Sequence, residues 1–162
     1  MPTAARVRDV LAYNPETGVL RWRVSVSNNI KAGAVAGYVT STGYRNVCVG
    51  WREYRAHRLI WLHVHGEWPR DQIDHINGKR DDNRLCNLRE VTNRLNGENR
   101  TKSNRNSGTG LLGVSLAKGD TRFRATITIA GKLRHLGYFA TAEEAHCAYL
   151  SAKRVYHEGS TL

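Results

Sequence analysis

Acidic side chains are in deficit. The 162 residues hold 14 Asp and Glu against 25 Lys and Arg, a formal net charge of +11. A chain this basic is drawn to polyanions, of which nucleic acid is the commonest. Charge alone does not fix a fold, and a basic ribosomal or structural protein would carry the same surplus. Cysteine is scarce as well. Cys48, Cys86 and Cys147 form no C-x-x-C pair, which excludes a zinc ribbon or finger built on such pairs. Their odd number and scatter, together with an N-terminal stretch MPTAARVRDVLAYNPETG that lacks an apolar signal core, fit a reducing cytoplasm. No run of ~18 apolar residues occurs, so no membrane-spanning helix is expected. Internal repeats and low-complexity tracts are absent too. With 40% hydrophobic residues the chain can still bury a modest core, in one domain or two small ones.

Three zones separate by composition. In the first, residues 1–69, RVRDVLAY (6–13) predicts a short helix, and NPETG (14–18) predicts a turn. VLRWRV (19–24) alternates as a half-buried strand does. GYVT and YRNVCVG, broken by STG, are further strand candidates. RAHRLIWLHVH (55–65) predicts a helix that buries Leu59, Ile60, Leu62 and Val64, stopped by Pro69. His63 and His65 stand two apart on that helix and point to different faces, so they read as surface or packing residues. Trp22, Trp51, Trp61 and Trp68 read as core, because no single-strand-binding pattern frames them.

The second zone, residues 70–96, contains IDHINGKRDDNRLCNLREVTNRLN. Here Asp74 and His75 are followed by Asn87 and Asn96, 12 and 21 residues past the histidine. IDHI reads as a short strand, NGKRDDN as a turn and CNLREV as a returning strand. Thr92 then caps a helix that holds Asn96. Asp81, Asp82 and Asn83 read as turn formers. Phosphodiester hydrolysis needs a base to deprotonate water and a cation for the leaving oxygen. A neutral histidine suits the first task, and hard aspartate and asparagine oxygens suit Mg²⁺ or Mn²⁺ for the second. A lone Asp-His pair would read as an ordinary polar loop; the pair followed by Asn87 and Asn96 at this spacing favours catalysis over a structural loop. His57 and Arg58, in AHRLIW, are candidates to touch a site here or a phosphate, a role the motif context favours.

Between this zone and the third, NGENRTKSNRNSG is polar and basic and reads as a linker. Its Arg100, Lys102 and Arg105 could follow a phosphate backbone or be incidental solvated charge. In the third zone, GLLGVSLA (110–117), TRFRATITIA (121–130) and KLRHLGYF (132–139) predict three strands. Phe123, Ala125, Ile127 and Ile129 share one face; Arg122, Arg124, Thr126 and Thr128 share the other. The helix TAEEAHCAYLSAKRVYHEG follows, with Thr141 and Glu144 as a capping box and Gly159 as terminator. Ala145, Ala148, Tyr149, Ala152 and Tyr156 form its inward face. The basic and hydroxyl sheet face suits a DNA groove, and suits plain solvent equally well.

Two resemblances cover nearly the whole chain. DHINGKRDDNRLCNLREVTNRLN resembles the HNH motif in the form found in phage-type HNH homing endonucleases. YNPETGVLRWR, AGAVAGYV, GYRNVCV and AHRLIWLHVHGEWP are similar to the same group. The resemblance implies that His75 is the general base and that Asp74 and Asn96 hold one divalent ion, Mg²⁺ or Mn²⁺. It further implies that Asn87 orients the loop and the histidine. Asn96 stands where many members have histidine. From GVS, RATITI, LGYF and TAEEAHCAY, the third zone resembles the AP2 domain family. That resemblance implies DNA contacts from Arg122, Arg124, Thr126, Thr128 and His135. Thr126 and Thr128 stand where plant members have charged residues, and His135 where they have tryptophan, so the target sequence does not carry over.

The expected fold is α+β. Residues 1–96 make an HNH (ββα-metal) nuclease unit with its core about 70–100, and 97–108 make a basic linker. Residues 109–162 make an AP2-like DNA-binding domain, a three-stranded antiparallel sheet packed on one helix. The function implied is a metal-dependent endonuclease on double-stranded DNA, with no membrane and no obligate protein partner, working in the cytoplasm (a host's, if phage-encoded). The alternatives are a DNA-binding regulator on an inactive nuclease scaffold, and cleavage or modification of RNA.

Overall fold

The computed structural model describes residues 1–100, 103–104 and 106–158. The chain divides into two compact units, Met1–Thr92 and Asn93–Leu162.

The first unit starts with helix α1 (Ala4–Val10), capped by Thr3, whose side chain accepts from Arg6 N. The helix expected over 6–13 therefore begins earlier and stops at Val10. Leu11–Asn14 instead forms strand β1, paired antiparallel with β2 (Val19–Trp22) so that Leu11 faces Trp22. The reason lies in the hairpin: Asn14 Oδ1 accepts from Glu16 N and Thr17 N, and that turn fixes the register. A second sheet has the order β3 (Tyr38–Val39), β4 (Arg45–Val49), β5 (Arg52–Arg55). It leads directly into α2 (Ala56–His65), which ends at Gly66 in the left-handed conformation, before Pro69 is reached. Leu59, Ile60 and Leu62 are buried as expected, whereas Val64 is exposed. The core gathers Val7, Val10, Leu11, Leu20, Val47, Leu59, Ile60, Leu62, Ile73 and Leu88, with Trp22 buried and Trp61 and Trp68 packed against it.

Trp51 departs from the expectation that all four tryptophans are core. It is 99% exposed, at the tip of the β4–β5 hairpin, with φ +64° beside Gly50 at φ +60°. A two-residue turn with both φ values positive matches the twist of the strands it joins, and it points the second residue outward.

The last hairpin of this unit carries the histidine. β6 (Gln72–His75) pairs antiparallel with β7 (Leu88–Val91), setting Asp74 opposite Arg89 and His75 opposite Leu88. A single 3₁₀ turn, Leu85–Asn87, enters β7.

The second unit opens with α3 (Asn93–Glu98). Its sheet has the order β10 (Lys132–Phe139), β9 (Phe123–Ile129), β8 (Val114–Leu116), all antiparallel. Helix α4 (Ala142–Tyr156) packs on it, and both halves of the Thr141–Glu144 capping box are made. Ala145 lies against Val114 and Ala125, with Phe123, Leu136 and Phe139 at the margin of this core. The small alanine allows that closeness. Gly113 allows it too, since a Cβ there would sit 2.0 Å from the Tyr149 ring. The inward face of α4 is not quite the one expected. Tyr156 is 54% exposed, and Lys153 is buried in its stead, its Nζ donating to the carbonyl of Arg100. A long amphipathic side chain buries its methylenes when its ammonium finds an acceptor. Gly159, expected to end the helix, lies outside the described residues.

Candidate functional site

The His75 hairpin is held together by carboxamides. Its loop, 76–87, closes where Ile76 N donates to Asn87 O at 2.9 Å. The Asn87 side chain ties the same loop twice. Its Oδ1 accepts from Asn77 N at 3.0 Å, and its Nδ2 donates to Asp82 O at 2.7 Å. Asn87 is buried, so these bonds are made away from competing water.

The ring of His75 is held by a residue that sequence reading placed among turn formers. His75 Nε2 lies 3.0 Å from Asn83 Oδ1. Asn83 Nδ2 donates to Asp81 O, which fixes the amide so that its oxygen faces the ring. An amide oxygen only accepts, so Nε2 carries the proton and Nδ1 is the basic nitrogen. Asn83 is 1% exposed and His75 is 4% exposed. No periodicity marks Asn83 within RDDN; its role comes from the loop's closure.

Asn83 is itself braced from the N-terminal hairpin. Tyr13 Oη donates to Asn83 O at 3.1 Å and accepts from Leu85 N at 2.9 Å. Gly18, φ +73°, lets the β1–β2 turn reach the same backbone: a Cβ there would lie 2.5 Å from Arg84 N and 2.6 Å from Asn83 C. The asparagine that orients the histidine thus depends on residues some 70 positions upstream.

Around the ring stand His57 and Tyr44. The His57 and His75 centroids are 5.1 Å apart with planes at 89°, and Tyr44 lies 6.0 Å from His75 and 5.6 Å from His57. Burial lowers the His57 pKa from its ordinary 6.5 to about 3, with His75, Arg58 and Arg55 adding repulsion. His57 is therefore neutral at any physiological pH.

Asp74 is buried and paired across the strands with Arg89, whose Nη2 is 2.9 Å and Nε 3.2 Å from Oδ2. Arg89 was not singled out in sequence; the register that sets it opposite Asp74 supplies the signal. Among the described residues, no three or more His, Cys, Asp or Glu side chains are grouped to share a metal ion. Asp74 offers two carboxylate oxygens. Its hard oxygens fit a cation of the Mg²⁺ type, which completes its shell with water and phosphate oxygens, and they do not make a closed zinc site. Asn96 lies half-buried on α3, in the second unit.

Residues 54–98 match the family model HNH_3, HNH endonuclease. The HNH segment takes in α2, β6, β7 and α3, and with them His57, Asp74, His75, Asn83, Asn87, Arg89 and Asn96. The match supports a nuclease in this part of the chain, acting on DNA. No curated protein and no solved structure matches the chain.

The second unit's expected nucleic-acid face is the solvent side of its sheet. Arg124, Thr128 and His135 are exposed, and Thr126 is half-buried. The register sets Arg124 opposite Tyr138, Thr126 opposite His135 and Thr128 opposite Leu133. Arg122 is exposed, paired with Asp120 at 2.6 Å, and its Cζ stands 5.1 Å from the Tyr138 ring centroid. Tyr138 also lies 4.6 Å from the His135 ring. Exposed Tyr138 and Leu133 thus join the basic and hydroxyl groups on this face. In the linker segment, Glu98 and Asn99 are buried, and Arg94 Nη1 bonds Glu98 at 2.8 Å. Arg100 is exposed and bonds Asn104, while Lys102 and Arg105 lie outside the described residues. No described helix is long and apolar enough to cross a membrane.

Proposed function

We propose that this chain is a metal-dependent HNH endonuclease of the homing type. It would hydrolyse one phosphodiester bond of double-stranded DNA at a preferred site. The observation that carries the reading is the buried His75 ring, oriented by Asn83 in the segment that matches the HNH endonucleases. With Nε2–H committed to Asn83, His75 takes a proton from water on Nδ1. Asn87 keeps the loop closed, so the ring need not reorganise as charge develops on it. Asp74 and Asn96 would hold the divalent ion, Mg²⁺ or Mn²⁺. When bound, that ion supplies Lewis-acid stabilisation of the phosphate and of the leaving 3′-oxygen. The exposed sheet face of Arg122, Arg124, Thr126, Thr128 and His135 would bind duplex DNA in the AP2 manner, in a groove that A-form RNA does not open to side chains. Arg100, Lys102 and Arg105 would follow the phosphate backbone.

A single site acts on one strand, so the expected product is a nick. The test is cleavage of supercoiled plasmid by wild type and His75→Ala with Mg²⁺, Mn²⁺ or EDTA. Open circle should form first, only with metal and only with wild type. Cleavage that persists in EDTA, or in His75→Ala, would overturn the reading.

A further inference from the structure

Tyr44 gathers two arginines beside the histidine. Arg55 Cζ stands 4.6 Å from the Tyr44 ring centroid and Arg80 Cζ 4.9 Å from it, and the same ring is 6.0 Å from His75. Arg55 ends β5, whereas Arg80 lies in the loop of the His75 hairpin. Their other hydrogen bonds go to neutral oxygens: Arg55 Nη1 to Asn46 Oδ1 at 3.0 Å, and Arg80 Nη1 to Thr42 O at 2.8 Å. A guanidinium has five N–H donors. Each of these two spends one.

The acidic neighbours do not neutralise them. Asp81 pairs with Arg45, Asp82 with Arg84 and Asp74 with Arg89. Glu53 accepts from Tyr38 and Asn46. Among the described residues neither Arg55 nor Arg80 forms an ion pair. Two like charges converging on one ring repel each other, and attraction to an aromatic face offsets this only weakly. His57 adds no carboxylate and is held neutral. Planar guanidinium groups, held beside one aromatic ring and with donors to spare, suit the oxygens of a phosphodiester.

We propose that Arg55 and Arg80, aligned by Tyr44, form a two-arginine clamp that holds a DNA phosphate next to His75. The proposal rests on the nuclease reading above and names its substrate contacts. Arg55 and Arg80 touch the phosphate oxygens. Tyr44 is a positioning residue: it touches both cations and packs near the base, so the phosphate and the histidine share one reference surface.

The experiment uses the full chain, with plasmid nicking for rate and a short duplex for affinity. Affinity is measured in a His75→Ala background across a salt series. Arg55→Gln and Arg80→Gln should each slow nicking at saturating DNA on the order of 100-fold. Each should also lower the slope of log affinity against log salt by about one. Arg80→Lys should restore the slope but not the full rate, since it keeps charge and loses the planar fork. Tyr44→Leu should lose kcat with little change in KM, and Tyr44→Phe, which keeps the ring, should recover most of the kcat that Tyr44→Leu loses. Arg80 is exposed, so Arg80→Gln is expected to fold. If it cuts at the wild-type rate with the wild-type slope, the clamp is overturned while the nuclease reading stands. If wild type binds DNA but never cuts, the nuclease reading fails. The slope alone then decides whether these arginines hold phosphate.

Discussion

Acid should unfold the first unit through His57. Its ring is buried, and its pKa is lowered from 6.5 to about 3, first by burial and then by the charges of His75, Arg58 and Arg55. The native state keeps His57 neutral, while the unfolded chain takes up a proton below pH 6.5. The unfolded state therefore binds more protons across this window, and stability falls as the pH falls. The contribution is fully present above pH 6.5 and is lost progressively toward pH 3. At pH 5 the unfolded state is favoured by about 2 kcal/mol relative to pH 7.5, from 1.36 kcal/mol per pH unit below 6.5. All four tryptophans, Trp22, Trp51, Trp61 and Trp68, fall in Met1–Thr92, so tryptophan fluorescence reports this unit alone. Urea unfolding of wild type and His57→Phe from pH 7.5 to 5 isolates the effect, because every other titrating group is common to both. The stability difference between them should shift by about 2 kcal/mol in favour of the variant. Parallel pH profiles would show that His57 is not held neutral in the native state, and the account of the pocket around His75 would be wrong.

Other perturbations have clear signs. Gly18→Ala puts a methyl group into the backbone of Asn83 and Arg84 at a left-handed φ. It should cost about 3 kcal/mol in urea unfolding and reduce nicking, and a silent substitution would refute the bracing of Asn83. Tyr13→Phe removes the hydroxyl that bridges Asn83 O and Leu85 N, and should cost about 1–2 kcal/mol by the same measurement. Trp51→Asn should stabilise the first unit by about 0.5–1 kcal/mol, since it removes a bulky residue at φ +64° that touches almost nothing. Arg124→Ala should weaken binding to a short DNA duplex, measured by fluorescence anisotropy, by about 1 kcal/mol; unchanged affinity would show that this sheet face is only solvated.

What the sequence made legible follows from the range of the interactions. The alternation in RATITI and the capping box before AEEA are local, and the structure has both the strand and the capped helix there. The β6–β7 hairpin announces itself because two short apolar runs flank a polar turn. Long-range effects were less readable. Residues 11–13 look helical by pattern, yet pairing with Val19–Trp22 draws them into a strand. Trp51 looks like core by composition, yet turn geometry sends it outward. Lys153 carries a charge and is buried, because a carbonyl from a distant segment meets its ammonium.

The asparagines make the same argument at the site. Asn87 stands out in sequence by its distance from His75, and in the fold it secures the loop's backbone through both ends of its amide. Asn83 stands out by nothing, being one polar residue among several in a turn, yet it meets the ring. The two divide the work. One closes the loop, and closing the loop carries the other to the histidine. Replacing Asn87 by Asp keeps the acceptor for Asn77 N but sets a second acceptor against Asp82 O, where Nδ2 now donates. That buried repulsion should open the loop and displace Asn83 with it, at a cost of about 2–3 kcal/mol. Asn83→Asp also sets an acceptor against a carbonyl, that of Asp81, but in place of a longer bond, 3.3 Å against 2.7 Å, and it leaves both Asn87 ties intact; it should keep the loop closed, preserve an acceptor for Nε2–H and retain the same nitrogen as the base. On this reasoning Asn87→Asp loses both fold stability and nicking, whereas Asn83→Asp keeps most of its nicking rate. If the two variants lose activity alike while both remain as stable as wild type in urea, the division of roles is wrong, and both asparagines act on the chemistry directly.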